Sequence, residues 1–299
     1  MEKYVSKYVS RNIDSLHPIL FGIVRDCSTS MKDGIGGTTV SKADMTATII
    51  NGVIQELEGM ASKSGTMKPY FYFAMVDYGG DKEVKVGFPS FPNSQIVCIT
   101  DLSSSPIRRE TRKKKEPDGV GGFIEIPVEF PIWIEPKANG NTPMMQGILE
   151  MANVVSEFIN DHKDCHPPVI INITDGQPTG VSLTDVIEAS KKITEQETDY
   201  GNVLFFNAHL IDTTTVPVLY PTISPNDLYA KFMFDMSSII PEPMRLRAVN
   251  AGMDIEPGGR GLIINGDAAS LKSMFDVGTI STEIPDEDNN DDDEEDGDE

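Results

Sequence analysis

Oxygen-bearing side chains stand at alternate positions directly after an apolar run of strand length. Residues 19–24, ILFGIV, are followed by Asp26, Ser28 and Ser30. One carboxylate and two hydroxyls at this spacing, in an extended or turning loop, converge on one point above the strand end. Two further donors have similar settings: Thr142 lies in GNTPM just before a helical pattern, and Asp175 follows an apolar run in VIINITDGQPTG. Hard oxygen ligands of mixed charge suit Mg²⁺ or Ca²⁺ better than zinc or copper. Taken singly, Asp26 and Ser28 would serve as helix caps and Asp175-Gly176 as an ordinary turn. Five donors in matching contexts are a stronger signal than any one of them.

Other reactive side chains form no such set. Cys27, Cys98 and Cys165 are an odd, widely spaced trio that fits neither a disulfide framework nor a CxxC clip. Cys27 is expected to be an inert thiol, as is Cys165, since Cys165-His166, followed by Pro167-Pro168, reads as a loop. His17, His162, His166 and His209 show no HxxxH-type spacing, which argues against a zinc enzyme. No general base stands beside the oxygen donors, so the expectation is a binding protein and not an enzyme. The alternative is a Mg²⁺-dependent phosphohydrolase using Asp26 as nucleophile or water-positioner. The lack of a lysine or second metal-binding acid near the motif counts against it.

Periodicity supplies the elements that must hold these residues. Ala43, Ala47, Ile50, Ile54 and Leu57 fall at helical spacing, as do Met144, Ile148, Met151, Val155 and Phe158, with Pro143 at a helix start. Residues 183–194 and 268–277 read as helices; 227–240 reads as one helix or two short ones, stopped by Pro241 and Pro243. Buried strands are expected at 19–25, 69–77, 169–174, 203–211 and 262–265. Residues 84–88 should pair back antiparallel at an edge, and 95–102 should form a further strand. Ile124, Ile126, Val128, Phe130, Ile132 and Ile134 alternate cleanly, the mark of a half-exposed strand near a sheet edge or in an inserted hairpin. The basic run RRETRKKK lies in 103–122, read as a loop longer than an ordinary connection. Strand and helix in alternation imply an α/β fold: a doubly wound, mostly parallel sheet with helices on both faces, one antiparallel edge strand and the inserted hairpin. Ligands of such sheets bind beyond the carboxyl ends of strands, where Asp26 and Asp175 both lie.

The chain has 299 residues with 25 basic and 47 acidic side chains, a net charge of −22. This balance argues against general nucleic-acid binding, because phosphates would be repelled. No run of about eighteen apolar residues suggests a membrane span, and 1–17 lack the apolar core of a secretory signal. A reducing cytoplasm is the expected compartment. The division read from composition is a lead-in at 1–17, a domain at 18–280 with an insertion at about 95–134, and a disordered acidic tail at 281–299. The basic run reads as a solvated loop or as a docking patch for an acidic partner, for which the tail itself qualifies.

The set Asp26, Ser28, Ser30, Thr142 and Asp175 resembles the metal-ion-dependent adhesion site of von Willebrand factor A domains. The closing piece GLIINGDAASLKSMFDVGT is also similar to the end of bacterial A domains of the tellurium-resistance TerY-like kind. This resemblance implies a Rossmann-like fold over roughly 19–279 and a Mg²⁺ ion, or alternatively Mn²⁺ or Ca²⁺. It implies direct ligation by Ser28 and Ser30, with Asp26, Asp175 and Thr142 acting directly or through water. It further implies a protein–protein interaction module of a cytoplasmic stress or signalling assembly. A partner's Asp or Glu carboxylate would complete the coordination, the partner being a kinase, phosphatase or ATPase. Arg25 departs from the pattern, which more often has an apolar residue there, and is expected to pair with an acid or face a gap between helices.

Overall fold

The first strand, β1 (Ile19–Asp26), is buried along its whole length. Its side chains alternate between two apolar layers: Ile19, Phe21 and Ile23 face one, Leu20 and Val24 the other. That is why this stretch is continuously apolar instead of alternating. The structure is a computed structural model that describes residues 8–9, 13–79, 83–117, 121–211 and 215–280. The acidic stretch 281–299, expected to be disordered, lies outside the described residues, as does part of the lead-in 1–17.

Five parallel strands form the centre of the sheet: β12 (Leu262–Gly266), β10 (Leu204–Leu210), β7 (Val169–Thr174), β1 and β2 (Phe71–Gly79), in that spatial order. Helices α1 (Lys42–Ala61), α6 (Glu242–Asn250) and α7 (Ala268–Ile280) cover one face, packing Ile50, Ile54, Met244, Leu271 and Phe275 into a core with Phe21 and Phe73. The other face is covered by α3 (Met144–Asp161), α4 (Leu183–Thr194) and α5 (Leu228–Met236), through Ile148, Met151, Val186, Ile193 and Met233 against Leu20, Val76 and Ile170. This is the doubly wound, mostly parallel α/β architecture that the alternation of patterns predicts. α3 approaches the sheet closely because Gly147 has no side chain; a Cβ there would stand 2.6 Å from the Tyr78 ring. Among the described residues no helix is long and apolar enough to cross a membrane.

Several details differ from expectation. Among the described residues the edges hold three antiparallel strands, not one: β3 (Glu83–Val86) and β4 (Ile96–Cys98) both pair with β2, and β11 (Val218–Leu219) pairs with β12. The stretch expected as a strand over 95–102 turns helical at α2 (Ile99–Ser104), where Ile99 and Leu102 point into the core. The basic run expected as a loop over 103–122 is instead mostly strand. β5 (Arg108–Pro117) pairs along its full length with β6 (Phe123–Ile132) in a separate two-stranded ribbon. The period-two signal of β6 was legible; that of β5 was masked by its charges. Pro143 caps α3 and does not begin it. Pro243 does not stop a helix but sits in the first turn of α6, where its missing N–H costs nothing. A short antiparallel pair, β8 (Glu197–Thr198) and β9 (Gly201–Asn202), joins α4 to β10.

Candidate functional site

Strand order reverses beside β1, with β2 on one side and β7 on the other, and the predicted donors gather above this point. Asp26 closes β1 and is only 1% exposed. Its Oδ1 accepts the Ser28 backbone N–H at 2.8 Å, and its Oδ2 accepts the Thr174 hydroxyl at 2.7 Å. Ser28 precedes a single 3-10 turn, Thr29–Lys32, that carries Ser30. The Ser28 and Ser30 hydroxyls lie 3.2 Å apart, and Ser30 Oγ donates to Asp175 Oδ1 at 2.7 Å. The loops after β1 and β7, 145 residues apart in sequence, are thus joined through the expected side chains.

Thr142 comes from a third loop. Its carbonyl accepts the Thr179 N–H at 2.9 Å and its N–H donates to the Thr179 hydroxyl at 3.2 Å, which fixes it to the Asp175 loop. A Cβ built on Gly176 would stand 3.9 Å from Ser30 Oγ and 4.0 Å from Thr142 Oγ1, so both hydroxyls flank this turn. Gly140, at φ +74°, shapes the approach; its carbonyl accepts the Thr29 N–H at 3.0 Å. The structure therefore brings Asp26, Ser28, Ser30 and Asp175 into one hydrogen-bonded network, with Thr142 at its border.

Burial pushes the Asp26 carboxyl up to about 6, against the hydrogen bonds from Ser28 and Thr174 and with a further rise from the charge of Asp175. A carboxylate this buried gains from a nearby positive charge. The donor set, two carboxylates and three hydroxyls, has the chemistry of a hard dication site, and Asp175 already attracts a cation. Lys42 Nζ donates to Asp175 Oδ2 at 2.7 Å. Among the described residues no group of three or more His, Cys, Asp or Glu side chains gathers to hold a metal; the candidate set draws on hydroxyls instead. Cys27 is buried, and desolvation pushes its thiol up to about 12, away from thiolate at neutral pH.

Sequence reasoning missed Lys42, Thr174, Thr179 and Tyr229. The Tyr229 hydroxyl donates to the Gly176 carbonyl, and burial raises its pKa further above the phenolic range. Lys42 is sixteen residues from Asp26 and reads as an ordinary charge at a helix start; only the placement of α1 brings it to the site. Arg25 does pair with an acid. It forms a two-pronged contact with Asp77 at 2.8 Å on each oxygen and donates to the Glu135 carbonyl at 3.0 Å. Lys137 Nζ adds a third contact to Asp77 at 2.7 Å.

No family model matches the chain, and no curated protein matches it. Solved structures are similar at a low level. Manganese-loaded TRAP protein of Plasmodium vivax aligns with TM-score 0.34 and 15% identity, over 70% of this chain and 63% of that one. The three N-terminal domains of the type V pilus tip protein Mfa5 of Porphyromonas gingivalis align with TM-score 0.31 and 15% identity, over 59% and 23%. The pilus adhesin SpaC of Lactobacillus rhamnosus GG aligns with TM-score 0.43 and 10% identity, over 94% and 33%. The chain thus spans less than two thirds of each of these neighbours, and likeness of this order assigns neither family nor function.

Proposed function

We propose that the chain is a metal-dependent protein-interaction module of the von Willebrand factor A kind. In this reading Asp26, Ser28, Ser30, Thr142 and Asp175 hold one hard divalent cation, Mg²⁺ or alternatively Mn²⁺ or Ca²⁺. The observation that carries it is the Ser30–Asp175 hydrogen bond at 2.7 Å, which closes the two loops on one point at the carboxyl edge of the sheet. A cation of this class supplies attraction for a carboxylate, which a partner would present as an Asp or Glu side chain. The protein's own residues hold the ion's carboxylates apart and anchored: Thr174 and the Ser28 N–H orient Asp26, and Thr179 ties Thr142 to the Asp175 loop. The TerY-like resemblance of the last segment extends the proposal to a cytoplasmic stress or signalling assembly, with a kinase, phosphatase or ATPase as partner. Calorimetry with Mn²⁺ tests the core of it. The wild type is expected to bind one ion, and Asp175→Ala to bind none while keeping its circular-dichroism spectrum. Undiminished binding by that variant removes Asp175 from the site.

A phosphohydrolase reading gains one observation, since Lys42 brings a buried ammonium to the site, 2.7 Å from Asp175. The burial of Asp26 and the donors on both its oxygens oppose it, because a nucleophile needs a free, exposed oxygen. Mg²⁺-dependent turnover of a generic phosphoester, lost in Asp26→Ala, would favour this reading over the first.

A further inference from the structure

One positive charge at the candidate site belongs to the chain itself. Lys42 is the first residue of α1, and only 4% of it is exposed. Lysine is almost never buried so deeply without a partner. The position does nothing for α1, since a positive charge in the first turn opposes the helix dipole. That turn is already capped by Ser41, whose hydroxyl accepts the Asp44 N–H at 3.0 Å. What offsets the burial of the ammonium is Asp175. Its side chain is fully buried, and its Oδ2 takes Lys42 Nζ at 2.7 Å while Oδ1 takes the Ser30 hydroxyl.

A charge count shows what this does to an ion. Asp26 and Asp175 bring two negative charges and Lys42 one positive. A dication would be neutralised by the two carboxylates alone; with Lys42 in place the loaded site carries one positive charge in surplus. We propose that Lys42 is the resident counter-charge of the site. It holds Asp175 when no ion is bound, and makes ion uptake and capture of an anionic carboxylate reinforce each other. Such coupling is reciprocal: the factor by which a carboxylate tightens the ion is the factor by which the ion tightens the carboxylate. This rests on the proposal that the five donors hold a dication.

Two variants separate charge from shape. Lys42→Gln removes the charge and keeps a donor for Asp175; Lys42→Arg keeps the charge. Calorimetry with Mn²⁺ is run in chloride and in acetate at equal ionic strength, acetate being the carboxylate probe. In chloride Lys42→Gln is expected to bind Mn²⁺ at least about tenfold tighter than wild type, the scale of a unit charge a few ångströms from a dication at a protein surface. Acetate is expected to tighten Mn²⁺ for wild type and Lys42→Arg, and to lose most of that effect in Lys42→Gln. Metal-free Lys42→Gln should also melt below wild type, with Mn²⁺ closing the gap. Equal or weaker Mn²⁺ binding by Lys42→Gln overturns the inference while leaving the ion site standing, as does a melting deficit that Mn²⁺ leaves unchanged. Absence of Mn²⁺ binding in wild type and both variants overturns the ion site and the inference together.

Discussion

Asp77 shows how single side chains beneath the site hold its loops. The pair Arg25–Asp77 sits at the end of β1 and β2 with side chains 3% and 7% exposed, and Arg25 also grips the Glu135 carbonyl. Lys137 joins from the segment that leads to Thr142. Burial alone would raise the Asp77 carboxyl, but Arg25 and then Lys137 override it and hold it below its ordinary value of 3.8. Removing one member of such a pair leaves the other charge buried and alone, so Asp77→Asn is expected to lose about 3–5 kcal/mol of stability at neutral pH. Because the folded-state pKa is depressed, the wild-type contribution is complete above the unfolded value of 3.8 and is lost as pH falls through the folded one. Urea titrations of both proteins should therefore show a wide gap at pH 7 that narrows below about pH 4. A gap independent of pH would assign the loss to packing.

At the scale of elements, what was legible followed from burial. β1, β7 and β10 lie between two helical layers and read as unbroken apolar runs; α1, α3 and α4 cover one face each and read as stripes. The same logic made Asp26 and Asp175 visible, because both end such runs. What was not legible depended on contacts distant in sequence. The ribbon β5–β6 is stabilised by charge pairs between its strands, such as Lys113–Glu125 at 2.8 Å, and by Arg112 stacked 3.5 Å over the Phe130 ring, so β5 shows no apolar period. Its base is anchored by one buried polar side chain in the middle of α1. Asn51, 1% exposed, accepts the Trp133 and Ile134 N–H groups at 2.9 and 3.2 Å and donates to the Ile134 carbonyl at 3.0 Å. Asn51→Ala would leave these backbone groups in the core without partners, at about 1–3 kcal/mol for each one unsatisfied. A loss of roughly 3 kcal/mol in urea titration is expected, since some of the groups relax toward water. A loss below 1 kcal/mol would mean that the ribbon's base holds without this anchor.

For the whole molecule, the direction of β3 and β4 decides where the charges lie. Both run antiparallel to β2, β3 along Val76–Gly79 and β4 along Tyr72–Ala74, so the chain descends as far as Cys98 towards the edge opposite the candidate site. α7 returns to the same edge: a Cβ on Gly278 would touch Val169 and Phe21, near the beginnings of β7 and β1. The chain therefore passes Ile280 on the side away from Asp26, and the segment 286–299, with 11 of the 47 acidic residues, follows from there. The basic strand β5 begins on the other side: Arg108 contacts Glu135, whose carbonyl accepts Arg25 at the site end of β1, so proximity gives the segment no preference for this strand. The ribbon's own glutamates compete for the same cations. Arg108 contacts Glu110 and Glu135, Arg109 lies 3.7 Å from Glu129, Arg112 2.9 Å from Glu110, and Lys114 3.1 Å from Glu116. Exposed pairs of this kind are worth at most about 1 kcal/mol each, but they leave the ribbon nearly self-neutral, and only a net positive field would gather a distant acidic segment. A chain ending at residue 285 is accordingly expected to bind an added polyglutamate peptide within about twofold of the full-length protein, at low salt as at high salt. Fluorescence anisotropy of the labelled peptide measures this. A tenfold gain on truncation, confined to low salt, would show that the acidic segment screens the ribbon and that the ribbon is a docking surface for acidic chains.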